Sequence, residues 1–86
     1  MRACLHLYTK TSQDSVFYQI LNEDIELEVD EIFDYSEFYY QILDSEAKKD
    51  FDRSGLKYGK YQVISTRREP NDYWGEIRYL FLKPLE

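Results

Sequence analysis

The chain has 86 residues, a formal net charge of −6, 43% apolar and 17% aromatic content, and only three Gly and two Pro. That length makes one domain, residues 1–86, with a modest core, and the composition excludes a disordered, low-complexity or collagen-like chain. The single Cys4 excludes an internal disulfide. No stretch approaches the run of about 20 apolar residues that a membrane helix needs, and the first ten residues do not resemble a signal peptide. The expected location is a reducing cytoplasm.

The first element, Arg2–Tyr8, alternates. Ala3, Leu5 and Leu7 fall on one face and Cys4, His6 and Tyr8 on the other, which predicts a strand inside a sheet. After the polar stretch 9–14, Val16, Phe17, Ile20 and Leu21 fit one face of a short helix. The same residues favour sheets, so the strand alternative stays open. "IELEV", 25–29, predicts a strand with Ile25, Leu27 and Val29 inward and Glu26 and Glu28 outward. Residues two apart on a strand stand about 6.6–6.8 Å apart on one face, a spacing like that of neighbouring nucleic-acid phosphates.

Asp34 followed by Glu37 has the form of a capping box, with Phe33 and Phe38 where a hydrophobic staple belongs. This predicts a helix over 35–52, with Tyr39, Leu43, Ala47 and Phe51 on its buried stripe, Tyr35 and Ile42 alongside, and Gly55 as its left-handed terminator. Tyr40 should share the outer face with Glu37, Gln41 and Asp44. "KYQVIST" and "YWGEIRYLFL", joined by "REPND", predict a C-terminal β-hairpin. The whole reads β-α-β-α-β-β: an α+β domain with about four strands and two helices on one face.

Catalytic and metal chemistry have little to work with. There is one histidine, and Cys4 with His6 supplies two ligands where a closed zinc site needs four. No phosphate-cradling glycine loop or dinucleotide fingerprint occurs. "DFDRSG", 50–55, starts like a calcium loop, but the twelfth position is Tyr61 rather than Glu. The expectation is no metal, no cofactor and no enzyme activity.

Charge is polarised. Glu23 to Asp52 carries twelve acids against Lys48 and Lys49, a balance of −10, and the remainder carries +4. Within it, 23–40 sets eight carboxylates among a run of aromatic residues. Carboxylates beside tyrosines suit a surface that occupies a nucleic-acid-binding cleft, with charge supplying steering and aromatics supplying contact area. Immunity proteins to nuclease toxins, and phage proteins that block restriction or CRISPR effectors, are small acidic inhibitors of this kind. The expected contact residues are Glu26, Glu28, Asp30, Glu31, Glu37, Tyr40 and Asp44. The expected partner is a basic nucleic-acid-binding protein such as a nuclease or CRISPR effector, with no direct contact to nucleic acid or membrane. Two alternatives stand beside this one. One is an adaptor or subunit of a larger complex. The other is a nucleic-acid-binding hairpin that uses Lys57, Lys60, Arg67, Arg68, Trp74 and Arg78 among stacking aromatics.

Overall fold

A computed structural model describes residues 2–73 and 75–85. The elements are β1 (Arg2–Leu7), β2 (Phe17–Leu21), β3 (Ile32–Tyr35), α1 (Glu37–Gln41), α2 (Ser45–Arg53), β4 (Gly59–Asn71) and β5 (Gly75–Pro84). They form one five-stranded mixed sheet in the order β2-β1-β5-β4-β3, in which β1 and β5 run parallel and the other neighbours antiparallel. The α+β class and the C-terminal hairpin agree with the sequence. The strand count, the element order and three of the elements do not.

β1 lies between β2 and β5, as its two mixed faces imply. Leu5 and Leu7 enter the core with Leu80 and Leu82 of β5, Tyr61 and Val63 of β4, and Phe33 and Tyr35 of β3. At Val63/Ser65 the β4 register shifts by one residue. This bulge changes which side chains face outward, so that Ser65 and Arg67 stand opposite Phe81 and Tyr79 on the outer face.

The first correction is 16–21, which is strand rather than helix. Phe17, Gln19 and Leu21 point inward while Tyr18 and Ile20 are exposed. A glutamine at the middle inward position interrupts the apolar alternation. Gln19 is nonetheless satisfied there, because its amide donates to the Tyr39 carbonyl at 3.0 Å and its oxygen accepts from the Tyr35 hydroxyl at 2.5 Å.

The second correction is 25–29, which is an irregular strap. Among the described residues it has no neighbouring strand to complete a ladder. Ile25 and Leu27 still pack on the core, but Val29 is exposed, and Asp30 closes the strap with a left-handed φ of 77°. The Asp30 amide donates to the Val63 carbonyl and the Val63 amide donates to the Glu31 carbonyl, anchoring the strap's end at the bulge. The strand-based spacing of Glu26 and Glu28 therefore has no basis.

The third correction is the long helix. Asp34 and Tyr35 belong to β3, and Ser36 caps α1 without a side-chain hydrogen bond. The capping side chain is Asp44, which accepts from the Ala47 amide at 2.8 Å and starts α2. Phe33 is buried and Phe38 exposed, so the staple does not form. Of the predicted stripe, Phe51 is buried and Tyr39 and Leu43 pack against the core, while Ile42 is exposed. Gly55 ends the helix region at φ 80°, as expected. The hairpin turn also moves: Arg68, Glu69 and Pro70 belong to β4, and Tyr73 donates its amide to the Asn71 side chain.

The sheet curls. A flat five-stranded sheet would separate its edges by about 19 Å, yet Tyr35 on one edge strand bonds Gln19 on the other. Phe51 of α2 fills the space between, stacked on Tyr35 at 5.6 Å and edge-on to Phe17 at 5.5 Å. Helices and strap thus cover the inner face, and the outer face has no covering element among the described residues. No helix among those residues is long and apolar enough to cross a membrane.

Candidate partner-binding surface

The strap and the two helices carry the acidic segment, and its carboxylates are solvent-exposed. Three of the twelve acids have a cationic partner within 4 Å among the described residues. These are Glu28 with Arg78, Glu46 with Lys49 and Asp50 with Arg53. Other acids hold local structure: Glu31 accepts from the Glu28 amide at 2.8 Å, Asp30 from Gln62 at 3.4 Å, Glu37 from Gln41 at 3.2 Å, and Asp44 caps α2. Glu26 is exposed on the strap. The other acids have no cation within 4 Å among the described residues, so the segment's net negative charge sets up a field on this side.

Tyr40 does not stand on the outer helix face. Its ring packs on Phe51 at 5.2 Å and on Tyr58 at 5.9 Å, and its hydroxyl donates to Asp52 at 3.0 Å. That bond holds the phenol's proton and raises its pKa above the usual value. The neighbouring Tyr39 hydroxyl donates to Glu23 at 3.2 Å, tying the start of the strap to α1. Burial, reinforced by the Glu23 charge, raises its pKa as well.

α1 and its C-terminal cap expose Phe38, 62% exposed, and Ile42, 54% exposed. They are one helical turn apart, since the Ile42 amide donates to the Phe38 carbonyl. The sequence had placed both in structural roles, Phe38 in a staple and Ile42 in the buried stripe. The i, i+4 spacing of two large apolar residues was the available signal; assigning Phe38 to a staple and Ile42 to the buried stripe hid it. The result is an exposed apolar pair with the acids Glu37, exposed, and Asp44, exposed, close to it in the sequence; an apolar anchor with polar surroundings is the usual form of an interface hot spot.

The hairpin basic residues fare differently. Arg78 is buried, with its Nη2 donating to the Leu27 carbonyl at 2.7 Å and to Glu28 at 3.2 Å. It fastens the strap to the sheet and does not face solvent. Arg68 lies 3.5 Å from Glu76, and Arg67 lies 3.2 Å from Glu69 with its guanidinium over the Tyr79 ring. Lys57 and Lys60 are exposed. Trp74 lies outside the described residues.

On the outer sheet face His6 stacks on Phe81 at 4.9 Å and on Tyr18 at 6.0 Å. The Tyr79 ring is tilted beside it at 5.7 Å. The His6 pKa is lowered by burial and by Arg67, and its Nδ1 meets the Ser15 hydroxyl at 3.3 Å. Burial pushes the Cys4 thiol up, and it lies 3.6 Å from the His6 Nε2. Among the described residues no three metal-ligating side chains gather. Of the calcium-like stretch, Asp50 faces Arg53, Asp52 accepts from Tyr40, and Tyr61 is buried with its hydroxyl donating to the Lys57 carbonyl at 2.6 Å. What fold and surface define together is a small α+β domain with an acidic helix-and-strap side and an open aromatic sheet face. Comparison with protein-family models, curated proteins and solved structures finds no match.

Proposed function

We propose that this chain is a protein inhibitor that sets its acidic helix-and-strap side against the basic cleft of a nucleic-acid-processing protein, such as a nuclease or CRISPR effector. The observation that carries the reading is the exposed Phe38–Ile42 pair on that side. Charge alone steers an encounter but adds little affinity once screened, whereas an apolar anchor inside a charged rim supplies the contact energy. The anchor therefore replaces Tyr40 as the central contact, with Glu26, Asp30, Glu31, Glu37 and Asp44 in the rim. Glu28 is divided between rim and strap.

The hairpin reading as a nucleic-acid binder is weakened by the occupation of Arg67, Arg68 and Arg78 with carboxylates. The test is a gel-shift titration of the free protein with single-stranded and duplex probes, beside Arg67→Ala and Phe38→Ala. The inhibitor reading expects no shift at physiological salt. Tight binding that disappears with Arg67→Ala would overturn it.

A further inference from the structure

We infer that the free edge of β2 is a strand-addition site, at which an extended lysine- or arginine-bearing segment of the partner pairs with Phe17–Leu21 beside α2. This rests on the reading of the acidic side as the working surface, and adds the mode by which the partner is held.

Three observations converge on this edge. β2 ends the sheet, and its outward backbone groups have no partner among the described residues. Its sequence, FYQIL, has no charge and no proline, the usual protections of an exposed edge, while Tyr18 is 65% exposed and Ile20 46% exposed. The opposite edge strand, β3, is four residues long and carries Asp34. A groove runs beside the start of β2, where an added strand would enter, between Val16, Phe17 and Tyr18 on one wall and Ala47, Asp50, Arg53 and Ser54 of α2 and its end on the other. A groove between an edge strand and a helix is the shape that takes an added strand: backbone pairing supplies affinity, and alternate side chains find the walls.

Charge selects the occupant. Asp14 precedes β2, Glu23 and Asp24 follow it, and Asp50 lines the groove, where Arg53 is already beside Asp50. A cationic strand is complementary at both ends. A second copy of this chain is disfavoured, because antiparallel self-pairing of β2 would bring Asp14 toward Glu23 and Asp24 of the other copy.

A displayed library of random heptapeptides panned on the intact protein tests the inference. The expected binders alternate β-branched or aromatic residues and carry Lys or Arg, and they perturb and protect the amides of Phe17–Leu21 in isotope-labelled protein. Tyr18→Lys and Ile20→Lys, with folding checked by circular dichroism, should weaken binding by at least about tenfold, since both are exposed anchor positions. Ile32→Lys on the other edge should leave it unchanged. The inference is overturned by any of three results: no enrichment, binders that are acidic or map to β3 or the outer face, or β2 amides already protected by self-association. Phe38→Ala separates the two proposals. Failure of the peptide site with Phe38→Ala still weakening the whole partner removes strand addition alone. Peptide binding at β2 with no effect of Phe38→Ala on the partner removes the anchor reading.

Discussion

The Tyr35 hydroxyl donates to the Gln19 side chain at 2.5 Å, joining the two edge strands of a single sheet beneath α1. Gln19 passes the connection on to the Tyr39 carbonyl. One buried chain of polar groups thus fixes the curl of the sheet and seats the helix that carries Phe38. Gln19→Leu should cost about 1–3 kcal/mol, because it leaves the buried Tyr35 hydroxyl without an acceptor. In the double variant Gln19→Leu/Tyr35→Phe most of that loss should return. Urea unfolding of the three variants measures it, and additive losses would contradict a shared network.

Stability should fall at alkaline pH. Burial raises the pKa of Tyr35, and of Tyr61, above the usual tyrosine value. A group that holds its proton more tightly when folded stabilises fully below its unfolded pKa, about 10 for tyrosine, and that stability is lost as pH rises past it. Thermal unfolding followed from neutral to strongly alkaline pH should show the fall. Tyr35→Phe should remove part of the pH dependence even though it lowers stability at neutral pH.

Glu26 and Glu28 should separate cleanly. Glu28→Gln weakens the partner of the buried Arg78 guanidinium, whose Nε and Nη1 have no hydrogen-bond partner among the described residues. It should cost about 1 kcal/mol, an amount limited by the exposure of the Glu28 carboxylate. Glu26→Gln should leave unfolding unchanged. Equal stability of the two variants in urea would show that Arg78 does not rely on Glu28.

Asp44→Ala should destabilise by about 1 kcal/mol through loss of the α2 cap, and Asp34→Ala by much less. Helical circular dichroism and the unfolding midpoint report both. The reverse ranking would restore the capping box at Asp34.

This pair shows where the sequence was legible. The actual cap, Asp44, lies ten residues after Asp34, and local pattern pointed to Asp34 because Phe33 and Phe38 framed it. β3 wins those residues because Phe33 and Tyr35 have a core to enter once β4 is alongside, with Phe33 opposite Tyr61. β1 was readable from alternation, and the hairpin from its β-forming residues and the turn residues between them. β2 was not, since Gln19 acquires its partners from residues sixteen and twenty positions away. The strap kept its in–out alternation at Ile25 to Glu28 without becoming a strand, because strand identity depends on a neighbour that the local sequence does not contain. The acidic side was legible from charge, but its exposed apolar pair was not, because Phe38 and Ile42 had been assigned to a staple and a buried stripe that the fold does not form around them.

The most direct measurement concerns Phe38. Proteins of the native host retained by the immobilised chain would be compared with those retained by Phe38→Ala, and the retained protein would then be challenged with its own nucleic acid. The account predicts a basic nucleic-acid-binding protein that Phe38→Ala holds more weakly by about 2 kcal/mol or more, the scale of an interface hot spot. Nucleic acid should displace it, and its association should slow as salt screens charges beyond about 8 Å. A partner held equally well by Phe38→Ala, and not displaced by nucleic acid, would contradict the account.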